Sequence, residues 1–298
     1  MKQTGGKRQT TAAIMRITTL TMTPAVAAAT WVYGIGVLLQ VAVAMAAAVA
    51  AELLCLYLRK KPLSEAKDGS AIVAGIIIAI ALPPLSPWFV AVFAAFCAMT
   101  LAKHCYGGLG NNVFNPAMAG YALAFVSFPL YFDNWHGDAS AGQTFDAIFG
   151  AVDAVSSPTP LIAARLPEGI VDRQLSLLPP VACIVGGAVL LILRIADWRL
   201  SAGFAFGAAV VAAVYDDMTI LLHGGLAFAM FFVITDPATA AASKSGRLLY
   251  AFFAGALALW LRQAGAHADG IAFAILAANM TAPLFDKVCG MFGGARHD

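Results

Sequence analysis

Residues 153–161, DAVSSPTPL, lie within a long polar interval, residues 133–177, that has apolar sequence on both sides. The interval divides the chain into residues 1–132 and residues 178–298. Two prolines among three hydroxyl side chains disfavour a helix, and the interval is too long for a tight turn. An ordinary connecting segment has this composition, and so does an accessible segment that is open to modification. The interval therefore predicts a long, accessible connection between two units.

The composition places these units in a membrane. The chain is 61% hydrophobic and only 11% charged over 298 residues, and its mean hydropathy is +0.81. A soluble domain of this size needs more charged surface than that. The formal charge of +2 gives no reason to expect nucleic acid as a partner, because in a membrane protein the position of each charge relative to the bilayer is what matters. The fold class predicted is an all-α polytopic membrane protein.

Apolar runs bounded by charged residues, proline or glycine give ten candidate transmembrane helices, five before the polar interval and five after it. Several are shorter than the ~20 residues that a straight helix needs to cross a bilayer. Short spans that end in proline or glycine are typical of broken helices that meet near the midplane. The ten segments are residues 17–35, 37–58, 72–85, 88–102, 114–132, 180–195, 202–215, 220–234, 248–261 and 270–284.

The lysines and arginines predict an orientation. If the N-terminus is cytoplasmic and all ten segments cross, 15 of the 18 lysines and arginines lie inside, and the other three, Arg165, Arg173 and Arg262, lie outside. Positive side chains collect on the cytoplasmic side of a membrane protein. We therefore expect a protein of the bacterial inner membrane with both termini in the cytoplasm and the loop 133–177 in the periplasm.

An internal repeat relates the two halves. A shift of 154 residues superimposes proline on proline at two positions, and it superimposes a polar residue followed by a helix breaker at the start of the fifth and tenth segments. Agreement of segment order and breaks favours duplication over chance. A site at the interface of the halves is then expected. The matched positions are Pro83 and Pro237, Pro129 and Pro283, and the dipeptides Asn115-Pro116 and Asp269-Gly270.

Two local motifs place polar side chains at predicted helix ends. Residues 107–118, GGLGNNVFNPAM, form a glycine-rich turn before a helix that begins with proline. Asn115 could be the helix N-cap, or the open helix end and the glycines could admit an anion or a polar ring edge. Residues 235–239, TDPAT, end a short apolar segment. Asp236 could cap the next turn, or it could face a ligand or an ion route.

These motifs occur together, and in the same order, in a known family. The chain resembles the D subunit of the Rnf electron-transport complex, a relative of the B subunit of the sodium-pumping NADH:quinone oxidoreductase. The resemblance covers nearly the whole membrane part and both halves. It is carried by residues 107–111 (GGLGN), 114–118 (FNPAM), 127–129 (SFP), 235–237 (TDP) and 270–276 (GIAFAIL).

The resemblance implies a ten-helix duplicated fold akin to urea channels and an FMN that is joined through its phosphate to a threonine. The family's acceptor motif, Ser-Gly-Ala-Thr, falls on residues 156–159, with Thr159 as the acceptor and Pro160-Leu161 after it. Ser157 and Pro158 replace the glycine and the alanine. A second, non-covalent flavin, riboflavin, is implied within the helices, and the nearby polar groups are Asn111, Asn115 and Asp236.

The sequence itself supplies neither a metal site nor a catalytic group. Its five histidines are scattered, and its five cysteines contain no C-x-x-C pair. A redox role therefore needs a bound cofactor. The resemblance implies a subunit of an ion-translocating oxidoreductase, with electron transfer between ferredoxin and NAD. It also implies partner subunits that carry Fe-S clusters and flavin, and a flavin transferase that loads Thr159. Because the 30.9 kDa chain lacks a nicotinamide-binding fingerprint, we expect no activity from it alone.

Two other functions fit parts of the same pattern. A channel or transporter for a small solute would also show duplicated halves, short broken spans and glycine-rich turns. A structural subunit without a cofactor would need none of the polar motifs. The discriminating feature is the loop, since neither alternative has a use for Thr159 in a flavin-acceptor context.

Overall fold

The computed structural model describes residues 10–132, 135, 140–150, 177–264 and 270–292, in which the regular elements are helices joined by turns. Short 3₁₀ turns at Leu63–Asp68, Pro129–Tyr131 and Met218–Leu222 lie between the longer helices. Helix α4 continues from Trp88–Cys97 into a π-helical turn, Ala98–His104, and α9 continues from Leu226–Phe228 into Ala229–Val233 in the same way. The other helices are α1 Thr11–Tyr33, α2 Gly36–Leu58, α3 Ser70–Ala81, α5 Pro116–Ser127, α6 Ala141–Phe149, α7 Leu178–Ile192, α8 Trp198–Val214, α10 Lys244–Ala264 and α11 Gly270–Phe292.

Each of the ten predicted apolar segments contains a helix. Three stretches, α1, α2 and Gly270–Met291 of α11, are long and apolar enough to cross a membrane. Shorter apolar helices form in α3, in Trp88–His104, and in α5, α7 and α8. Two of their ends lie at prolines, since α3 ends before Pro83 and α5 begins at Pro116. Proline is tolerated at the first position of a helix because the N–H it lacks would have no partner within the helix.

Helices α1 and α7, the first long helices on either side of the polar interval, run in opposite directions. We call the end of the bundle where α1 stops and α2 starts the Tyr33 end, and the end where α2 stops the Lys60 end. Pro179, at the start of α7, lines a cavity together with Tyr33, and Gly186 in the middle of α7 packs on the Thr21 carbonyl in α1. Helix α7 therefore runs from the Tyr33 end to the Lys60 end, opposite to α1. This direction is the one that the predicted repeat requires if the second half is inverted, as in many transporters.

Close helix contacts depend on small residues. A Cβ atom on Gly120 of α5 would overlap the Ala94 carbonyl of α4, and one on Gly187 of α7 would overlap the Phe231 ring of α9. Helices in a bilayer gain their packing energy from such close approach of backbones. These glycines let the short helices α5 and α9 sit inside the bundle.

Besides shifts of a few residues at helix ends, the structure differs from the sequence prediction at Pro283 and within the polar interval. The repeat predicts Pro283, like Pro129, at a helix end, yet α11 continues through it to Phe292, because membrane helices tolerate an interior proline when neighbouring groups satisfy the freed carbonyl. Within the interval 133–177, predicted as loop, residues 141–149 form helix α6. A capping box between Ser140 and Gln143 starts this helix, with both reciprocal hydrogen bonds made.

Candidate functional site

A buried polar network joins the halves where α5 begins. Asn115 is the N-cap of α5, and its side chain accepts a hydrogen bond from the Met118 N–H at 3.2 Å. Its own N–H donates to Asn279 Oδ1 of α11 at 2.9 Å, and its Nδ2 donates to the Val233 carbonyl at 3.4 Å. The N-cap interpretation of Asn115 is therefore correct. The same residue also connects the start of α5 to two helices of the second half.

Asn279 carries the network further into the second half. Its Nδ2 donates to the Tyr250 hydroxyl of α10 at 2.7 Å and lies 3.4 Å from the Thr239 carbonyl. Asn279 is only 2% exposed and Tyr250 is fully buried. Neither residue was predicted from the sequence. The available signal was an amide side chain inside the apolar run 271–282, which needs a partner when it is buried.

Asp236 lies in the turn that follows α9. Its side chain accepts a hydrogen bond from the Ala238 N–H at 3.0 Å, so it caps that turn. Its N–H donates to the Val233 carbonyl at 3.3 Å, the same oxygen that Asn115 Nδ2 approaches. The structure thus brings Asn115 and Asp236 to one turn near the interface of the halves.

Asn111 lies elsewhere, at the Lys60 end. It is exposed and lines a pocket of about 520 Å³ together with Gly107 and Gly108. Both glycines have left-handed φ values, 119° and 110°, and a Cβ atom on Gly107 would come within 3.2 Å of Asn111 Nδ2. The glycine-rich turn therefore shapes this pocket wall in a way that residues with side chains rarely can. Asn111 therefore lies in the wall of this pocket, whereas Asn115 lies in the buried network between the halves.

Buried charges form the floor of this pocket. The Lys103 ammonium bonds to a Glu52 carboxylate oxygen and to Ser70 Oγ at 2.6 Å, and the side chains of Lys103 and Glu52 are each 2% exposed. Arg59 Nη1 lies 3.2 Å from His104 Nδ1. Among the described residues, the second Glu52 oxygen and His104 Nε2 are buried without a hydrogen-bond partner. Glu52 lies in α2, which is long and apolar enough to cross a membrane, and an ionisable residue in such a helix is a candidate functional residue.

A second cavity lies between the halves at the Tyr33 end. It measures about 160 Å³ and has apolar walls with several aromatic rings. Tyr33 and Trp135 meet edge to face, with ring centroids 5.7 Å apart. Arg262 of α10 is buried, and its guanidinium donates to the carbonyls of Gly224 and His223, the latter at 3.4 Å. The cavity is therefore a mostly apolar space with the Arg262 guanidinium in its wall.

Thr159 lies outside the described residues, and so do the Ser156 and Ser157 hydroxyls beside it. The chain on its N-terminal side reaches the Tyr33 end through α6, where a methyl group of Thr144 packs near Gly36. On its C-terminal side the chain enters α7 at the same end. Within the described ranges, there is no group of three or more histidine, cysteine, aspartate or glutamate side chains that could hold a metal ion.

Comparison with known proteins gives consistent matches along the chain. The model of the NQR2, RnfD, RnfE family matches residues 5–291. The D subunit of the ion-translocating oxidoreductase complex of Vibrio cholerae serotype O1 is 35% identical, covering 94% of this chain and 93% of the relative. The proteins of the same name from Aliivibrio salmonicida and Escherichia fergusonii are 33% and 32% identical and cover 94% and 95% of this chain.

Proposed function

Because this chain belongs to the NQR2, RnfD, RnfE family, we propose that it is the membrane-embedded D subunit of an ion-translocating oxidoreductase complex. The main support is the similarity to relatives of that name, which covers 94% of this chain and 93% of the relative. Partner subunits with Fe-S clusters and flavin would deliver the electrons, since the chain has no nicotinamide fingerprint. The complex should co-purify from the bacterial inner membrane, and a fully active single polypeptide would contradict the proposal.

We further propose that Thr159 carries an FMN through a phosphoester. When bound, FMN would supply electron transfer in steps of one or two electrons. Support comes from residues 156–161, SSPTPL, at the family's acceptor position, and from flanking segments that both reach the Tyr33 end. From the sequence alone, a proline on each side of Thr159 disfavours a helix, so we expect its hydroxyl to be open to a flavin transferase.

The test is the fluorescence of flavin that remains covalently bound to the denatured protein. Denatured protein, made together with a flavin transferase, should fluoresce on a gel, and the peptide with Thr159 should gain the mass of FMN less water. Thr159→Ala should abolish both signals, whereas Ser157→Ala, two residues away, should keep them. If wild type never fluoresces, the flavin assignment fails.

The cavity at the Tyr33 end is the best place for the tethered ring. Its aromatic walls suit a flat heterocycle, and the Arg262 guanidinium supplies a positive charge that stabilises a reduced, electron-rich ring. Trp135 and Tyr33 would exclude water from one edge. Replacement of Trp135 by alanine should leave the amount of covalently bound flavin unchanged. It should shift the emission maximum of the flavin in the folded protein, because the ring would become more exposed to water.

We propose that the second flavin, riboflavin, binds either beside Asn111 or beside Asn115 and Asp236, since Asn111 lies in a different pocket from the other two residues. Asn115 and Asp236 already use their side chains as caps, so their loss would disturb the fold as well. Asn111 is exposed, and its N–H bond to the Gly108 carbonyl, at 3.2 Å, does not use the side chain. Asn111→Ala should therefore lower the riboflavin released by denaturation without lowering the yield of protein.

Orientation can be tested independently of the cofactors. A single cysteine at Gly142 should react with a membrane-impermeant reagent added from outside, and one at Lys61 should react only after the membrane is opened. Reaction of both from one side would refute the ten-span arrangement.

The second candidate function is a channel or transporter for a small solute. The observation that favours it is a cavity between the halves, beside the short helices α5 and α9. Solute uptake by the isolated protein in vesicles, with no flavin bound, would favour this function over electron transfer.

A further inference from the structure

Three arginines surround a cavity at the Lys60 end, between α7, α8 and α10. We call it the arginine pocket and define it by Arg194, Arg199, Arg247, Asp197 and Thr235. Its volume is about 620 Å³, which is in the range of small-ligand sites. It is separate from both the cavity at the Tyr33 end and the pocket that Asn111 lines.

The charges of the arginine pocket do not balance. Asp197 accepts hydrogen bonds from Arg247 Nη1 at 2.7 Å and from Arg199 Nη1 at 3.4 Å. Arg247 Nε donates to the Ala241 carbonyl at 3.1 Å. Since a guanidinium has five N–H donors, Arg199 and Arg247 keep several for a ligand. In the part of the chain that the structure describes, Arg194 pairs with no carboxylate. Three arginines and one aspartate therefore line the arginine pocket, and Asp286, which is outside the lining, also interacts electrostatically with Arg247.

Apolar surface adjoins the arginine pocket. Ile192, at the end of α7, is 77% exposed, and the next residue, Leu193, is 47% exposed. Trp198, at the start of α8, is 56% exposed, and the Arg199 guanidinium lies 5.0 Å from its ring centre. Tryptophan at a helix end is typical of the membrane–water interface. A basic pocket directly beside lipid-facing side chains is the arrangement that binds anionic headgroups on the cytoplasmic side.

The backbone at Arg194 favours a different residue. Arg194 has φ 54°, in the left-handed region, where α7 ends with the Ile195 N–H bonded to the Leu190 carbonyl at 3.0 Å. Glycine is the usual residue at this position of a helix end. Lys60 adopts the same conformation, φ 53°, after α2, with the Lys61 N–H bonded to the Leu56 carbonyl at 2.9 Å. Lys60 does not line the arginine pocket, which makes it a matched control.

We propose that the arginine pocket binds the phosphate of an anionic glycerophospholipid whose acyl chains lie along Ile192 and Leu193. A phosphodiester oxygen suits the guanidinium donors of Arg194, Arg199 and Arg247. The predicted cytoplasmic orientation of the Lys60 end places the site in the leaflet that is rich in anionic lipid. Lipid bound here would hold α7, α8 and α10 together at their ends.

The test compares two glycine variants of the full chain in detergent. Native mass spectrometry would count bound phosphatidylglycerol and phosphatidylcholine on wild type, Arg194→Gly and Lys60→Gly. Wild type should prefer phosphatidylglycerol, and Arg194→Gly should weaken that binding about fivefold, the effect of one basic residue at a membrane surface. Lys60→Gly should bind as wild type does. Both variants should melt no lower than wild type, because glycine is favoured at both positions.

Four results would overturn the proposal. Equal weakening by both variants would show only a general effect of charge, and equal binding of the two lipids would show no headgroup preference. Inorganic phosphate bound as tightly as phosphatidylglycerol would assign the pocket to a soluble anion. Unchanged lipid binding in Arg194→Gly, together with loss of co-purifying subunits, would assign this face to a protein interface.

Discussion

Asn279→Ala should destabilise the protein strongly, because this amide links α11 to both halves. The substitution removes the acceptor of the Asn115 N–H at 2.9 Å and the donor to the Tyr250 hydroxyl at 2.7 Å. Hydrogen bonds between membrane helices contribute about 0.6–2 kcal/mol each, and a buried N–H that is left without an acceptor costs about 1–3 kcal/mol. With the small void included, the free energy of unfolding should fall by about 2–4 kcal/mol.

The matched control is Thr281→Ala, two residues further along the same helix. The Thr281 hydroxyl bonds only to carbonyls of its own helix, those of Ala277 at 3.2 Å and Ala278 at 3.0 Å. Its loss should therefore change the free energy of unfolding by no more than about 0.5 kcal/mol.

The assay is reversible unfolding by SDS in mixed micelles, monitored by circular dichroism. Tyr250→Phe, alone and combined with Asn279→Ala, completes a double-mutant cycle that isolates the hydrogen bond between the two side chains. Its coupling free energy should be about 1 kcal/mol. If Asn279→Ala costs no more than Thr281→Ala, the network does not hold the two halves together.

Three further predictions concern other parts of the bundle. Glu52→Gln should cost about 3–5 kcal/mol of unfolding free energy because it leaves the Lys103 ammonium buried without a negatively charged partner, and adding Lys103→Met should recover most of this loss in the same SDS assay. Gly187→Ala should cost about 1–3 kcal/mol because its Cβ would overlap an aromatic ring of α9, whereas Gly142→Ala, with no atom within 4 Å of the new methyl group, should be neutral. Partial burial tends to raise the pKa of Asp197, but hydrogen bonds and charges from two arginines outweigh it and lower that pKa. The ionised Asp197 carboxylate therefore contributes its full stabilisation above the unfolded pKa of about 3.9, and this stabilisation is lost as the pH falls through the folded pKa. The melting temperature of Asp197→Asn should depend less on pH in that acid range than the melting temperature of wild type.

The sequence predicted several helix ends from proline, glycine or charge, but not all of them. The segment predicted as residues 37–58 is the helix Gly36–Leu58, and the segment predicted as residues 270–284 is helical throughout. Helix α6 was missed although its capping box is a local signal, because the surrounding polar interval was interpreted as a connection. The last helix was predicted to end at Leu284, since a proline in sequence does not reveal whether neighbouring helices compensate for its missing N–H.

The candidate site could be predicted only in part. Asn115 and Asp236 stand at helix ends that the sequence itself marks, and both caps form. Asn279 and Tyr250 lie inside apolar runs, and their role depends on partners that are distant in sequence and close only after packing. The Glu52–Lys103 pair was missed for the same reason, because 51 residues separate its members. The flavin assignments at Thr159, Asn111, Asn115 and Asp236 remain predictions.

The bond between Asn115 and Asn279 also imposes an order on biogenesis. The acceptor of the Asn115 N–H lies 164 residues further along the chain, so it is synthesised later. At about 5–20 residues per second, a ribosome needs roughly 10–30 s to supply it. During that time the start of α5 holds a polar group that lipid cannot satisfy. Assembly of the first half is therefore tied to translation of the last helix, and the two halves mature together although the first is synthesised long before the second.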